Sequence, residues 1–250
     1  MPADTRAILD QLQLVDAERA RRTADPSLAS AVQRVKAYQQ GRFAHTYADL
    51  LDHPRYAGAA RFFLDDLYGP EDFTQRDAQF ARVVPALVRV FPQDLVETVF
   101  TLVRLHALSE QLDSAMGAHL IDATGVPIAP IDYIRAWQQA SEPAARARQL
   151  DFTLAVGMSL DRLTRKPLLR HSLQLMRGPA KAAGLEELQR FLERGFDTFR
   201  AMQGAAEFLR IVDERERALA QALFVAPVAQ NVTAAETPAT ALAEALGQLP

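Results

Sequence analysis

The sequence predicts an all-α fold, and three observations predict it. Apolar residues recur at steps of three and four nearly throughout the chain. No run alternates apolar and polar residues with period two for long enough to make a strand. Prolines and glycines stand between the periodic segments, where they close one helix and open the next. The expectation is a single bundle of about ten helices over residues 5–224 with short Pro/Gly-marked turns. A flexible Ala/Thr/Pro-rich tail is expected over 225–250, with a short terminal helix at most.

Ile8, Leu12 and Val15 mark the first helix. Asp25-Pro26 reads as an N-cap followed by proline at the first helical position, where its missing N–H costs nothing. Leu28, Val32 and Val35 line the second helix, with Gly41 as its expected stop. Phe43, Tyr47 and Leu50 indicate a short third helix. A fourth opens at Pro54, carries Tyr56, Ala60, Phe63 and Leu67, and closes at Gly69-Pro70. The fifth carries Phe73, Phe80, Val84 and Leu87, and Pro85 is expected to kink or split it. The sixth, from Pro92, is the longest. Gly125, Pro127 and Pro130 mark the clearest internal loop. Beyond it, Ile131, Ile134 and Trp137 define a short helix, and Ser141 is the expected cap of the next. Pro167, Gly178-Pro179 and Gly204 separate the remaining segments.

Composition narrows the function classes. The chain has 250 residues, 49 % hydrophobic and 24 % charged, enough to bury a sizeable core. A net charge of −3 argues against nucleic acid or a membrane surface as a general partner. With no cysteine there are no disulfides, thiolate metal sites or cysteine nucleophiles. The start carries no basic segment followed by an apolar one, and no apolar run is long enough to span a bilayer, so the expected setting is cytoplasmic. No Walker loop, Gly-x-Gly-x-x-Gly, Gly-x-Ser-x-Gly or His-Glu-x-x-His occurs, which disfavours an enzyme without excluding a site assembled in space.

Three features carry candidate chemistry. His106, Glu110 and Asp113 are spaced by four and three, which puts them on one face of the sixth helix. An imidazole with carboxylates suits iron, manganese or zinc, or an axial position on haem, although a complete site needs partners from other helices. The alternative is a polar network with His106 bonded to a carboxylate. The second feature is the turn that runs through Phe62, Phe63, Asp65, Asp66, Tyr68, Arg76 and Asp77. Asp65 and Asp66 end a helix where its dipole is negative, an unfavourable place for acids. The reading there is either a pocket or an aromatic cluster with a polar turn. The third is basic: Arg162, Arg165, Lys166, Arg170, Arg177 and Lys181 occur over 162–181 with no acid among them. That window suits an anion, a partner surface or, less well without aromatic residues, nucleic acid.

The block Phe62-Phe63-x-x-x-Leu67-Tyr68-Gly69-Pro70-x-Asp72-Phe73-x-x-Arg76-Asp77 resembles the signature of an uncharacterised helical family from proteobacteria. Phe199-x-x-Met202-x-Gly204-Ala205-x-x-Phe208-Leu209 is similar to that family as well. The resemblance implies a helical fold and a bacterial setting, and carries over no catalytic residue. The leading functional expectation is a non-catalytic binding or regulatory module working through a helical groove or a self-association face, with a protein partner or a second copy. The competing expectations are a metal- or haem-dependent protein built on His106, Glu110 and Asp113, and anion binding at the basic segment.

Overall fold

The computed structural model describes residues 4–67, 73–121 and 127–227, together with 247 and 249. Among these residues the fold is all-α, without strands. In chain order the helices are α1 (Thr5–Ala24), α2 (Pro26–Thr46), α3 (Ala48–Asp52), α4 (Ala57–Phe62), α5 (Thr74–Val90), α6 (Gln93–Ala118), α7 (Pro130–Ala140), α8 (Pro143–Thr164), α9 (Pro167–Leu175), α10 (Arg177–Ala182), α11 (Glu186–Ala201) and α12 (Ala206–Val225). A single π-turn, Phe63–Leu67, continues α4. Among the described residues no helix is long and apolar enough to cross a membrane.

Several boundaries follow from local chemistry. Asp4 caps α1 by accepting from the Ala7 N–H at 2.7 Å. Asp25 caps α2 by accepting from Ser27 and Leu28 at 3.0 and 3.1 Å, ahead of Pro26. Other boundaries depart from expectation. α2 runs through Gly41 to Thr46, because Phe43 is buried in the core and holds the last turn in place. α5 is continuous through Pro85, which stands at an exposed position of the helix. α4 begins at Ala57 after a turn over 54–56, not at Pro54. Ser141 does not cap α8: its hydroxyl donates to the Trp137 carbonyl and accepts from Arg146. Gly178 and Pro179 lie inside α10. The expected loop at 122–130 is non-helical over 127–129, and 122–126 lie outside the described residues. The expected tail lies mostly outside them too, but Leu249 is buried in the core and the Gly247 carbonyl meets His45 Nε2 at 3.4 Å.

α6 is the central helix, with α1, α2 and α8 packed along it. Gly117 lets α2 and α6 approach closely: a Cβ there would stand 2.6 Å from Val32 Cγ2. Apolar packing falls into three clusters. Ile8, Leu12, Val84, Val96 and Val103 join α1, α5 and α6. Val35, Met116, Tyr133, Ile134, Trp137 and Leu223 join α2, α6, α7 and α12. Tyr47, Tyr56, Phe62, Phe63, Phe199 and Phe208 form an aromatic cluster. In it Phe63 lies between Phe199 and Phe208, with ring centroids 6.3 and 5.8 Å away. The two blocks that carry the family resemblance, far apart in sequence, therefore pack on each other. Within the second block Gly204, at φ +122°, makes a turn that a side chain would strain. Asp161 of α8 then accepts from the Ala205 N–H at 3.0 Å, at the start of α12.

Candidate functional site

The α6 stripe faces inward, and each of its acids meets cations. Glu110 and Asp113 are buried, while His106 is half-buried. Glu110 accepts from Arg22 on α1 and, at 2.5 Å, from Lys36 on α2. Asp113 lies 3.9 Å from the same Lys36 ammonium. His106 Nε2 meets the Asp77 carboxylate of α5 at 2.7 Å, and Arg19 of α1 donates to the same oxygen at 2.6 Å. Burial pushes the Glu110 carboxyl up, but Lys36 and Arg22 outweigh it and hold the pKa at about 2. Asp77 is likewise held below the usual carboxylate range, because His106, Arg76 and Arg19 together exceed the effect of burial. Asp113 goes the other way: burial raises it, and Lys36 only partly opposes that.

This surrounding does not suit a divalent ion. Arg22 and Lys36 fill the positions at Glu110 that a metal would take, and their charge would repel it. Among the described residues no three His, Asp or Glu side chains gather into a possible ligand set. The geometry is that of a buried ion network fastening α1, α2 and α5 to α6.

In the turn block, Phe62 and Phe63 enter the aromatic cluster, and Tyr68 lies outside the described residues. Asp65 and Asp66 stand on the π-turn, where Arg194 of α11 reaches both, at 3.1 and 3.0 Å. That cation answers the unfavourable helix end. Arg76 donates to the Asp66 carbonyl at 3.0 Å, and its guanidinium lies 4.0 and 4.5 Å from the ring centroids of Phe73 and Phe191.

The basic segment is exposed and largely neutralised by acids from elsewhere in the fold. Arg165 pairs with Asp161, Lys166 with Asp94, Arg170 with Asp197 and Arg177 with Glu193, at 2.6 to 3.0 Å. Arg162 donates to Ser159 Oγ at 2.9 Å. These cations are spread from the end of α8 to α10, and all but Arg162 face an acid of their own.

A cleft of about 430 Å³ is lined mainly by α8 and α12, with Trp137 of α7, Phe43 of α2 and Phe63 also in its lining. Leu150, Val212, Ala220 and Phe224 continue its apolar wall. The polar lining is sparse and fixed. Arg146, 5 % exposed, lies with its guanidinium 3.8 Å from the Trp137 ring centroid. It donates to Ser141 Oγ at 3.1 Å and to Gln149 Oε1 at 3.2 Å, and Gln149 in turn donates to Ser109 Oγ at 2.9 Å. Glu216 accepts from Arg42 and from the Tyr47 hydroxyl at 2.8 Å. Of the candidate site residues named from the sequence, Phe63 alone is among those lining this cleft; His106, Glu110 and Asp113 are not. Trp137, Arg146, Gln149 and Glu216 were not visible as a group, because they come from three helices. The one available signal was the chain's single tryptophan standing just before the helix-breaking Ser141-Glu142-Pro143.

The fold and the cleft together define a helical bundle with a mostly apolar recess between α8 and α12. The chain belongs to the family described as a domain of unknown function, DUF8198, whose model matches residues 18–229. That span takes in α2 through α12 and the last part of α1, and so every residue named above as lining the cleft. No curated protein and no solved structure matches the chain.

Proposed function

We propose that this protein is a non-catalytic binding module that takes a small, largely apolar ligand into the α8–α12 cleft. The observation that carries the reading is the lining: aromatic and aliphatic walls with a few polar groups held in place by their own hydrogen bonds. That is the usual make-up of small-molecule sites, and the volume falls within their common range of about 300–1,000 Å³. No activated nucleophile or paired acid and base lines the recess, so its chemistry is that of holding a ligand.

Trp137 is the only tryptophan, so its emission reports directly on the cleft. Titration with Nile red, a neutral apolar dye, is expected to quench that emission saturably at one dye per chain. Ala147 lines the cleft at an exposed position, so Ala147→Phe fills the recess without entering the core. This variant is expected to melt like the wild type and to lose the dye. Absence of saturable quenching, or equal binding by a folded Ala147→Phe protein, would remove the proposal.

A further inference from the structure

Two of the residues that line the cleft, Trp137 and Arg146, bring hydrogen-bond donors to it. Trp137 is 7 % exposed, and among the described residues its buried indole N–H has no hydrogen-bond partner. A buried donor left without an acceptor is costly, and an oxygen brought in by a ligand would satisfy it. Beside it stands the Arg146 guanidinium, stacked on the same indole and held by Ser141, Gln149 and the Met116 sulfur at 3.0 Å. One donor carries no charge and the other a full positive charge, and both are sheltered from water, where a charge-assisted bond is strongest.

The other ionic groups of the lining do not oppose an anion. Glu216 is gripped by Arg42 and the Tyr47 hydroxyl, so its charge is already answered. Arg217, at the rim, pairs with Asp151 at 2.9 Å and Asp213 at 2.6 Å. Away from Trp137 the walls are Phe43, Phe63, Leu150 and Val212, which accept only apolar surface.

We infer that the ligand is an amphipathic monoanion whose carboxylate head meets Arg146 and the Trp137 indole N–H, while its apolar body lies along Phe63, Leu150 and Val212. This rests on the reading of the cleft as a small-molecule site. Trp137 and Arg146 are then the residues that select the head group, and the apolar walls select the body.

The test is isothermal calorimetry on the full chain with octanoate, octanol, octylamine and octyl phosphate, beside the Nile red titration. Octanoate is expected to bind more tightly than octanol by roughly tenfold or more, the worth of one hydrogen bond to a charged group, and octylamine not to bind. In Arg146→Gln the advantage of octanoate over octanol is expected to vanish. Trp137→Phe removes the N–H donor together with one ring of the indole; it is expected to weaken octanoate severalfold more than octanol, so the inference does not depend on Arg146→Gln folding. Octanol binding as tightly as octanoate overturns the inference while Nile red binding keeps the cleft reading intact. Octyl phosphate binding tighter than octanoate overturns the carboxylate assignment. Failure of all four compounds alongside saturable Nile red binding overturns the ligand class, and failure of the dye as well overturns the cleft reading itself.

Discussion

The α6 stripe and the basic segment over 162–181 hold the same kinds of charge in opposite ways. In the stripe, Glu110 and its partners Arg22 and Lys36 are 6–18 % exposed at their side chains. In the segment, Arg170 and Asp197 are 40 % and 49 % exposed. Both regions answer most of their charges with opposite ones, so pairing alone does not distinguish them. Burial does, because a buried charge that loses its partner has no water to turn to. An exposed one is solvated and screened.

The largest effect is expected from Glu110→Ala. It leaves Arg22 without its counter-charge and Lys36 with only Asp113, 3.9 Å away, and such losses run to about 3–5 kcal/mol. Urea denaturation measures it. A loss of under about 1 kcal/mol would erase the contrast between the two regions.

An intermediate effect lies within the stripe itself and depends on pH. Glu110 and Asp77 have lowered pKa values in the folded chain, so the stability they contribute is present above the ordinary carboxylate pKa and is lost as pH falls. For Glu110 the window runs from 4.5 down to about 2. Asp113 has the opposite sign: its raised pKa means that its contribution is present at low pH and lost as pH rises above the ordinary value of 3.8. Asp113→Asn is therefore expected to match or exceed the wild-type Tm at pH 7, and Glu110→Ala to flatten the decline at acid pH. Thermal melts from pH 7 down to the acid limb decide it; an Asp113→Asn protein as weak at pH 7 as Glu110→Ala would refute the opposite signs.

The smallest effect is expected from Arg170→Ala. An exposed pair of this kind is worth about 0.2–1 kcal/mol and less in salt, so its Tm should track the wild type, and the remaining difference should shrink in added sodium chloride. A loss as large as that of Glu110→Ala would place the basic segment on the same footing as the stripe.

The all-α class was legible because helical periodicity is a local property, and the capping of α2 by Asp25 is local as well. Gly41 and Pro85 misled for a related reason. Each is a local breaker, and each is overridden by what the helix packs against or by the water beside it. The placement of His106, Glu110 and Asp113 on one face was also legible from spacing. Their partners were not, since Arg22, Lys36 and Asp77 come from other helices and no sequence rule joins them to α6. The cleft was the least legible. It is a gap between helices, and a gap leaves no mark in the periodicity of either wall.

Gly117 connects the packing to the ion network. Val32 of α2 rests against it, and the backbone nitrogen of Val32 lies only 3.2 Å from where a Cβ would be. Lys36, one turn along α2 from Val32, spans the same gap to reach Glu110 and Asp113 on α6. The glycine thus acts as a spacer of zero thickness and gauges the width that the lysine must bridge. A side chain at this position would work as a wedge, felt as a stretched ion pair two turns away along α6.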